Sequence, residues 1–185
     1  MQKIVIGISA NCEQSGKTTV ATILQHELGQ TLLLPLADPL KKMVATLLQI
    51  INPSYPTDNG KFFVPELNCT VRHLWQTIGT EWGRECVGQS IWVNIARAII
   101  QREDVVYVIL PDYRFPNEGE LADIHVRIES TVSPQHGHTS EGQPLGKPDY
   151  YYFNNGTLAE LEAFAMRVAQ DIKKKGFRLN LPSTP

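Results

Sequence analysis

The sequence has no excess of charge of either sign, few cysteines and no long hydrophobic run. Its 185 residues include 17 Lys and Arg against 19 Asp and Glu, which gives a formal net charge of −2. Because this balance produces no field that attracts large polyanions, it disfavours direct binding to nucleic acid. A local basic pocket for one small phosphate compound remains compatible with it. With 42% hydrophobic and 19% charged residues, the composition is that of an ordinary globular protein, which excludes wholesale disorder and a coiled coil.

The scarcity of cysteine excludes two kinds of site. Cys12, Cys69 and Cys86 lie far apart and form no CxxC pair, so the sequence supports neither a disulfide framework nor a zinc cluster. No stretch approaches the ~18 apolar residues of a membrane-spanning helix, and no signal-peptide cleavage site follows the first apolar run. We therefore expect a cytoplasmic protein with no membrane partner.

Short apolar runs alternate along the chain with segments of helical periodicity. The runs predict strands at 3–8, 31–36, 105–110, 124–128 and 150–153. The periodic segments predict helices at 17–28, 39–51, 70–81, 90–102, 116–122 and 157–175. This alternation predicts an α/β fold of three layers with a mostly parallel central sheet.

The length of the chain favours a single domain over residues 1–185, since two full domains would need more residues. Two segments interrupt the regular pattern. Residues 52–69 contain three prolines and a glycine, which predicts a loop or insertion, and residues 130–149 mix Ser, Thr, Gly, His and Pro without periodicity. The second segment predicts a long mobile loop.

The most informative segment is NCEQSGKT, which lies between the first predicted strand and the first predicted helix. It matches the phosphate-binding pattern GxxxxGK[ST], known as Walker A, at every defined position except the first. Gly16 lets the backbone approach phosphate oxygens, and the amides around Ser15 and Thr19 complete an anion cradle at the helix N-terminus. Lys17 is expected to pair with the β- and γ-phosphates of ATP, and the Thr18 hydroxyl to bind Mg²⁺.

The first position of the pattern is Asn11 instead of glycine. Asn is the non-glycine residue that best tolerates the left-handed region, so we expect Asn11 to preserve the turn. The alternative is a chance GKT at a helix start, which the order strand, loop and helix disfavours. The pattern indicates nucleoside triphosphate binding and leaves the reaction open. Cys12 lies in this loop and is interpreted as a passive residue instead of a redox switch.

An acidic residue follows the predicted strand 105–110. Asp112 in that position is the Walker B arrangement, which holds Mg²⁺ directly or through water, although Pro111 is unusual there. Arg114 is expected to stabilise charge on the transferred phosphoryl group or to clamp the acceptor phosphate.

Two further clusters follow predicted strands. Asp38, with Lys42 one turn later, comes after the second strand, where carboxyl ends of parallel strands line a ligand crevice. The alternative for Asp38 is the N-cap of the next helix. Asn155 and Gly156 are expected to turn against an adenine ring, or simply to connect strand and helix with Thr157 as N-cap.

An arginine-bearing segment lies in the middle of the chain. Arg72 and Gln76 share one helix face, and Arg72 and Arg84 offer fork-shaped donors for a phosphate. Trp82 or Trp92 could stack on a base. The alternative to a binding role is that these arginines are ordinary surface residues and these tryptophans are buried in the core.

In this order, several segments together resemble the deoxynucleoside monophosphate kinases of tailed bacteriophages, which are P-loop kinases related to the adenylate kinase group. The segments are GKTT, LADPLK, RHLWQTIGTEWGR, WV, PDYRFPNE, HTSE and NNGTLAEL. GTEWGR and DYRFPNE are the most specific, and the resemblance spans residues 4–174. It implies transfer of the γ-phosphoryl group of ATP, with Mg²⁺, to a deoxynucleoside monophosphate.

The resemblance also implies roles for individual residues. The implied catalytic residues are Lys17, Arg72, Asp112 and Arg114. The implied acceptor-binding residues are Asp38, Lys42, Arg72, Gln76, Glu81, Arg84, Trp92 and Asn117. A helical region over 38–102 would bind the monophosphate, and a lid over 130–149 would close on ATP. Lys17, Arg72, Arg84 and Arg114 are expected to converge on one phosphate-binding cleft.

The predicted lid departs from related kinases because it contains no arginine. Arg114 and Arg127 are the candidates to replace it, and His136 and His138 are not expected to bind a metal. Two other functions stay open: a kinase for dephospho-coenzyme A or another small metabolite, and a nucleotide-binding module without transferase activity. The preferred base and the oligomeric state also stay open, with a candidate homodimer face at 52–69 and around Trp75.

Overall fold

The computed structural model describes residues 3–12, 14–131 and 146–179. In these residues the strands are β1 (Ile4–Ala10), β2 (Thr31–Leu33), β3 (Phe63–Val64), β4 (Cys69–Thr70), β5 (Tyr107–Leu110), β6 (Ile124–Glu129) and β7 (Tyr150–Phe153). The α-helices are α1 (Lys17–Leu28), α2 (Asp38–Ile51), α3 (Val71–Thr77), α4 (Ile91–Arg102), α5 (Pro116–Gly119) and α6 (Leu158–Leu179). A 3₁₀ turn covers Pro65–Leu67, and a π-helical segment covers Ile78–Val87.

The chain divides into two compact units. The helical unit is Leu36–Ala98, and the sheet unit is Met1–Pro35 with Ile99–Pro185. The helical unit covers nearly the same residues as the region 38–102 that the sequence assigns to the acceptor. That the whole chain acts as a single domain stays a prediction.

The sheet unit is built on a parallel five-stranded sheet with the order β2-β5-β1-β6-β7. β1 lies at the centre of the sheet, and its five consecutive buried residues, 5–9, are what is expected of a strand covered on both faces. β1 has β5 on one side and β6 on the other. At such a switch in strand order, the loops that follow the strands open a ligand crevice. The predicted α/β fold with a mostly parallel sheet is confirmed.

Helices α1 and α6 cover one face of this sheet. Their inward side chains, among them Leu24 and Ile172, are fully buried with Ile6, Ile109 and Ile128 of the strands. Each such side chain contributes about 1.5–3 kcal/mol of hydrophobic stabilisation. The rigid core therefore fixes the N-terminus of α1, where the phosphate-binding pattern lies.

Two predicted boundaries on the second βα unit are wrong. β2 ends at Leu33 because the N–H of Leu34 makes the last bond to β5, and Pro35 has no N–H to continue the ladder. The helix predicted from residue 39 begins one residue earlier: Asp38 is the first helical residue, so the alternative role of Asp38 as the N-cap is wrong, and Ala37 occupies the cap without a side-chain bond. A carboxylate in the first turn still interacts favourably with the helix dipole.

The helical unit has its own small core of Val44, Leu48, Val64 and Val71. Part of it comes from the segment 52–69, for which a loop was predicted and where the structure has the antiparallel hairpin of β3 and β4. Strands of two residues are too short to show a period of two, so the sequence pattern could not reveal them.

The predicted helix 70–81 is divided in the structure. Thr70 caps α3 by accepting a hydrogen bond from the N–H of His73, and the chain then widens into the π-helical segment. Gly83 is essential to this geometry, since a Cβ there would lie 2.7 Å from Cζ2 of Trp92 and 2.8 Å from the carbonyl oxygen of Ile78. Long π-helices are rare, and no periodicity in the sequence distinguishes one from an α-helix.

We expect Gly83→Ala to lower the free energy of unfolding by about 1–3 kcal/mol, because the methyl group overpacks the contact with Trp92. Gly79→Ala is the matched control, since its Cβ would make an ordinary contact at 3.4 Å with Leu40. It should be neutral or stabilising by up to about 1 kcal/mol. Urea denaturation of both variants measures the difference, and equal stability of the two would contradict this packing.

Candidate active site

The phosphate-binding loop joins the end of β1 to the start of α1. Its backbone has positive φ at Gln14, 60°, and at Gly16, 101°, the N-cap of α1. A side chain at Gly16 would also collide with Leu161, since a Cβ would lie 2.6 Å from Cδ2. Glycine is therefore required at position 16 by conformation and by packing.

Asn154, in the turn before α6, holds the loop by donating from Nδ2 to the carbonyl oxygen of Ser15 at 2.9 Å.

The loop has the donors that an anion needs. The first turn of α1 has no side-chain cap and contains no acidic residue. Ser15 is 1% exposed, and its Oγ has no hydrogen-bond partner among the described residues. A buried hydroxyl without a partner is costly, and a phosphate oxygen would supply one. The residues present thus fit a bound phosphate group.

Lys17 joins the ends of two neighbouring strands. Its Nζ donates to the carbonyl oxygen of Cys12 at 3.1 Å and lies 3.5 Å from Oδ1 of Asp112, which follows β5. The lysine side chain is 14% exposed and the aspartate 36%. The structure thus brings together the lysine of the Walker A pattern and the acid of the Walker B arrangement. Thr18 and Thr19 lie beside Lys17 in the first turn of α1.

Asp112 also holds Arg114. The Nε and Nη2 atoms of Arg114 both donate to Oδ2 of Asp112, at 3.0 and 2.8 Å. Behind this pair lies Glu118, 5% exposed, whose Oε2 accepts from the backbone N–H groups of Arg114 at 2.7 Å and Phe115 at 3.1 Å. Three charged side chains, Lys17, Asp112 and Arg114, therefore form one connected group at the carboxyl end of the sheet.

The loop after β5 is fixed to the sheet by Tyr113. Its N–H donates to the carbonyl oxygen of Ile8, and its hydroxyl lies 3.0 Å from Nδ1 of His125. Burial raises the pKa of the Tyr113 hydroxyl. The ring needs Gly7 beneath it, because a Cβ there would lie 2.9 Å from Tyr113 Cε1. Sequence reasoning gave Tyr113 and Gly7 no role.

The expected left-handed turn at Asn11 is wrong, since positive φ in the described part of the loop occurs at Gln14 and Gly16. Asn11 instead pairs with the backbone of Ser130. Its Nδ2 donates to the carbonyl oxygen, and its Oδ1 accepts from the N–H, each at 3.0 Å. The side-chain amide thus joins the start of the phosphate-binding loop to the end of β6.

The turn before α6 confirms Thr157 as the N-cap. Its Oγ accepts from the N–H of Glu160, and Oε2 of Glu160 accepts from the N–H of Thr157 in return, which forms a capping box. The N–H of Thr157 and, to a lesser extent, its hydroxyl both donate to the Glu160 carboxylate and lower the pKa of this group. The contact of Asn155 and Gly156 with an adenine ring stays a prediction.

Arg127, a candidate to replace a lid arginine, is engaged on the sheet. Its Nε donates to Oε1 of Glu129 at 2.8 Å, and the hydroxyl of Tyr151 donates to Oε2 at 2.9 Å. The hydrogen bond from Tyr151, and to a lesser extent that from Arg127, lowers the pKa of the Glu129 carboxyl. Most of the predicted lid, with His136 and His138, lies outside the described residues.

The expected acceptor residues, apart from Asn117 on α5, lie in the helical unit. Their positions are Asp38 and Lys42 on α2, Arg72 and Gln76 on α3, Glu81 and Arg84 in the π-helical segment, and Trp92 on α4. Because Lys17 and Arg114 belong to the sheet unit, the expected convergence of the four basic residues stays a prediction.

Two of these acceptor residues are buried. Arg84, 8% exposed, donates from Nη1 to the carbonyl oxygen of Gln89 at 3.2 Å. Trp92, 4% exposed, donates its indole N–H to the carbonyl oxygen of Gly79 at 2.9 Å. Trp82, by contrast, is 44% exposed and has a ring surface open for stacking.

Two other kinds of feature are absent from the described ranges. Residues 3–12, 14–131 and 146–179 contain no group of three or more His, Cys, Asp and Glu placed to hold a metal ion. Across the same ranges, no helix combines the length and the hydrophobicity needed to cross a membrane.

Sequence reasoning gave no individual role to three residues of the site: Ser130, Asn154 and the buried Glu118. Glu118 and Asn154 do lie in the segments DYRFPNE and NNGTLAEL that carry the resemblance, and a proline followed two positions later by a glutamate is typical of the first turn of a helix. Ser130 and Asn154 act through contacts with residues distant in the sequence, which no local pattern reveals.

We expect Asn11→Ala to lower the free energy of unfolding by about 1–3 kcal/mol, because both hydrogen bonds to the backbone of Ser130 are lost. Asn11→Gly, which restores the Walker A consensus, should destabilise the protein at least as much, since φ at this position does not call for glycine. Urea denaturation compares the three chains. A glycine variant as stable as the parent would contradict the pairing with Ser130.

Comparison with curated proteins finds a partial match. A segment of 50 residues is 44% identical to the deoxynucleoside-5'-monophosphate kinase of Escherichia phage T5. It covers 27% of this chain and 20% of that protein, so the chain matches about a fifth of that relative's length. No protein-family profile matches the chain.

Two solved structures have the same fold over nearly the whole chain. TT1252 from Thermus thermophilus aligns with a TM-score of 0.56 and 16% identity over 94% of this chain and 98% of its own. The dephospho-CoA kinase from Campylobacter jejuni aligns with a TM-score of 0.52 and 14% identity over 94% and 99%. The chain therefore has the α/β fold of a dephospho-CoA kinase, and part of its sequence resembles a phage deoxynucleoside monophosphate kinase.

Proposed function

We propose that this protein transfers the γ-phosphoryl group of ATP to a deoxynucleoside monophosphate, giving the diphosphate and ADP. The observation that carries the proposal is the contact between Nζ of Lys17 and Oδ1 of Asp112 at 3.5 Å. Lys17 directly follows Gly16, the left-handed N-cap of α1. The 44% identical segment shared with the phage T5 enzyme supports this class of acceptor. Its place of action would be the cytoplasm, that of the host if a phage encodes it.

The donor side of the reaction is assigned to the loop and to α1. The phosphates of ATP would accept hydrogen bonds from the backbone amides of the loop and from the Ser15 hydroxyl. Lys17 would exchange its contacts with Cys12 and Asp112 for the β- and γ-phosphates. Thr18 and Asp112 offer oxygen ligands to Mg²⁺, which commonly uses one or two protein oxygens together with phosphates. When bound, the ion neutralises charge on the phosphates.

Arg114 would stabilise the charge that develops on the transferred group. Its guanidinium already lies beside Asp112, so its position is set before any substrate binds. The phosphate of the acceptor is a nucleophile at neutral pH, and the reaction therefore needs no general base. Positioning and charge compensation supply most of the catalysis in such transfers.

The acceptor side is assigned to the helical unit. Arg72 and Gln76 share a face of α3, and Arg72 offers a fork of donors to a phosphate. Trp82, whose ring is exposed, is the better candidate to stack on the base than the buried Trp92. Asp38, Lys42, Glu81 and Arg84 in this unit and Asn117 on α5 complete the proposed set, and closure of the segment 130–149 would exclude water from the reaction.

A second candidate function is phosphorylation of dephospho-coenzyme A. The fold likeness to the Campylobacter jejuni enzyme, over 94% of this chain, favours it. Both acceptors would use the same donor machinery, so only the acceptor distinguishes the two. The candidate of another class is a module that binds nucleoside triphosphate without transfer.

An ADP-release assay with ATP and Mg²⁺ separates these functions. We expect ADP to form with at least one deoxynucleoside monophosphate and at a much lower rate without acceptor. ADP with dephospho-coenzyme A alone would support the second candidate. ATP binding with no acceptor-dependent ADP in any mixture would contradict both transfers.

In the same assay, Lys17→Ala should lower kcat about 100-fold or more, because the β- and γ-phosphates of ATP lose the lysine that pairs with them. Arg72→Ala should chiefly raise the KM for the acceptor, by about tenfold, since its proposed contact is made before the transfer as well as during it. Lys174→Ala is the control, because it removes an exposed lysine of α6. Equal rates for Lys17→Ala and Lys174→Ala would rule out this role for Lys17.

A further inference from the structure

Glu118 is a buried carboxylate in the short helix α5. It is 5% exposed, whereas Glu120, two residues later, is exposed. Removing a carboxylate from water is costly unless hydrogen bonds to the charged form replace the lost solvation. Here Oε2 accepts two of them, from the N–H of Arg114 at 2.7 Å and the N–H of Phe115 at 3.1 Å.

These two bonds hold a short turn, which Tyr113 also anchors to the sheet. α5 covers only Pro116–Gly119, and a single turn of helix is not stable by itself. The two residues before it have N–H groups that no turn of helix can satisfy. The carboxylate of Glu118 accepts a hydrogen bond from both of them and so holds the backbone between Asp112 and α5.

The same turn carries the charges of the proposed site. The backbone of Arg114 is held by Glu118, and its guanidinium donates to Oδ2 of Asp112. The other oxygen of Asp112 faces Lys17. A shift in the backbone of Arg114 would therefore move its guanidinium away from Asp112, the carboxylate that faces Lys17.

We propose that Glu118 is a positioning residue for phosphoryl transfer, which acts by fixing the backbone of Arg114 so that its guanidinium lies against Asp112. The inference rests on the proposed function. What matters in this role is the reach of the side chain and its acceptor oxygen, since Oε2 must meet two N–H groups. It predicts that shortening the side chain is worse than removing its charge.

Three substitutions test this in the ADP-release assay, alongside titrations of ATP binding. Glu118→Gln keeps the length and one acceptor oxygen, and kcat should stay within about fivefold of the parent. Glu118→Asp keeps the charge but loses one methylene, and kcat should fall about 10- to 100-fold while the Kd for ATP changes little. Glu118→Ala should resemble Glu118→Asp, and Glu120→Ala is the control that removes an exposed carboxylate from the same segment.

A double-mutant cycle with Arg114→Ala tests the route of the effect. If Glu118 acts through Arg114, Glu118→Asp should lower kcat much less in the Arg114→Ala background than in the parent. A merely structural role predicts additive losses and an equal loss of ATP binding. Thermal unfolding of each variant establishes that the assay is made on folded protein, and if Glu118→Ala does not fold, the Gln and Asp variants carry the comparison.

The outcomes separate this inference from the proposed function. A parent chain that forms no acceptor-dependent ADP would overturn the function, and the positioning role with it. An active parent with unchanged kcat in Glu118→Asp, a larger loss in Glu118→Gln than in Glu118→Asp, or additive losses in the cycle would overturn the inference alone.

Discussion

The carboxylate of Asp112 is the interaction on which the rest of the candidate site depends. One of its oxygens faces Lys17, and the other accepts two hydrogen bonds from Arg114. A negative charge between two positive ones offsets their mutual repulsion and keeps both cations near the carboxyl ends of β1 and β5. Lys17, Asp112 and Arg114 thereby form one connected group of charges after β1 and β5 instead of three separate side chains.

This arrangement requires that the loops after the strands have fixed conformations, and each loop is fixed by a hydrogen bond between a side chain and the backbone. Asn11 binds the backbone of Ser130, Asn154 binds the carbonyl oxygen of Ser15, and Glu118 binds the N–H of Arg114. In each case a polar side chain replaces a backbone partner that an irregular segment lacks. Function-bearing loops on a parallel sheet need such supports because the sheet orders only the strands themselves.

Much of the fold could be predicted because it follows from local properties. The buried run of β1 and the start of α1 at Lys17 are visible in the hydrophobic pattern and in the glycine that precedes the helix. The π-helical segment Ile78–Val87 could not be predicted in this way, because its width depends on the packing of Gly83 against Trp92. The hairpin of β3 and β4 was missed because its strands are too short to show a period.

By itself the sequence determined the parallel α/β fold, the phosphate-binding loop and the acid at the end of β5, since periodicity and the order of elements along the chain require no knowledge of distant contacts. Only the tertiary structure decided the partners. Asn11 and Ser130 lie 119 positions apart, and their pairing exists because β1 and β6 are neighbours in the sheet. The physical reason is that a side-chain hydrogen bond acts over about 3 Å, a proximity that distant segments reach only when the sheet has formed.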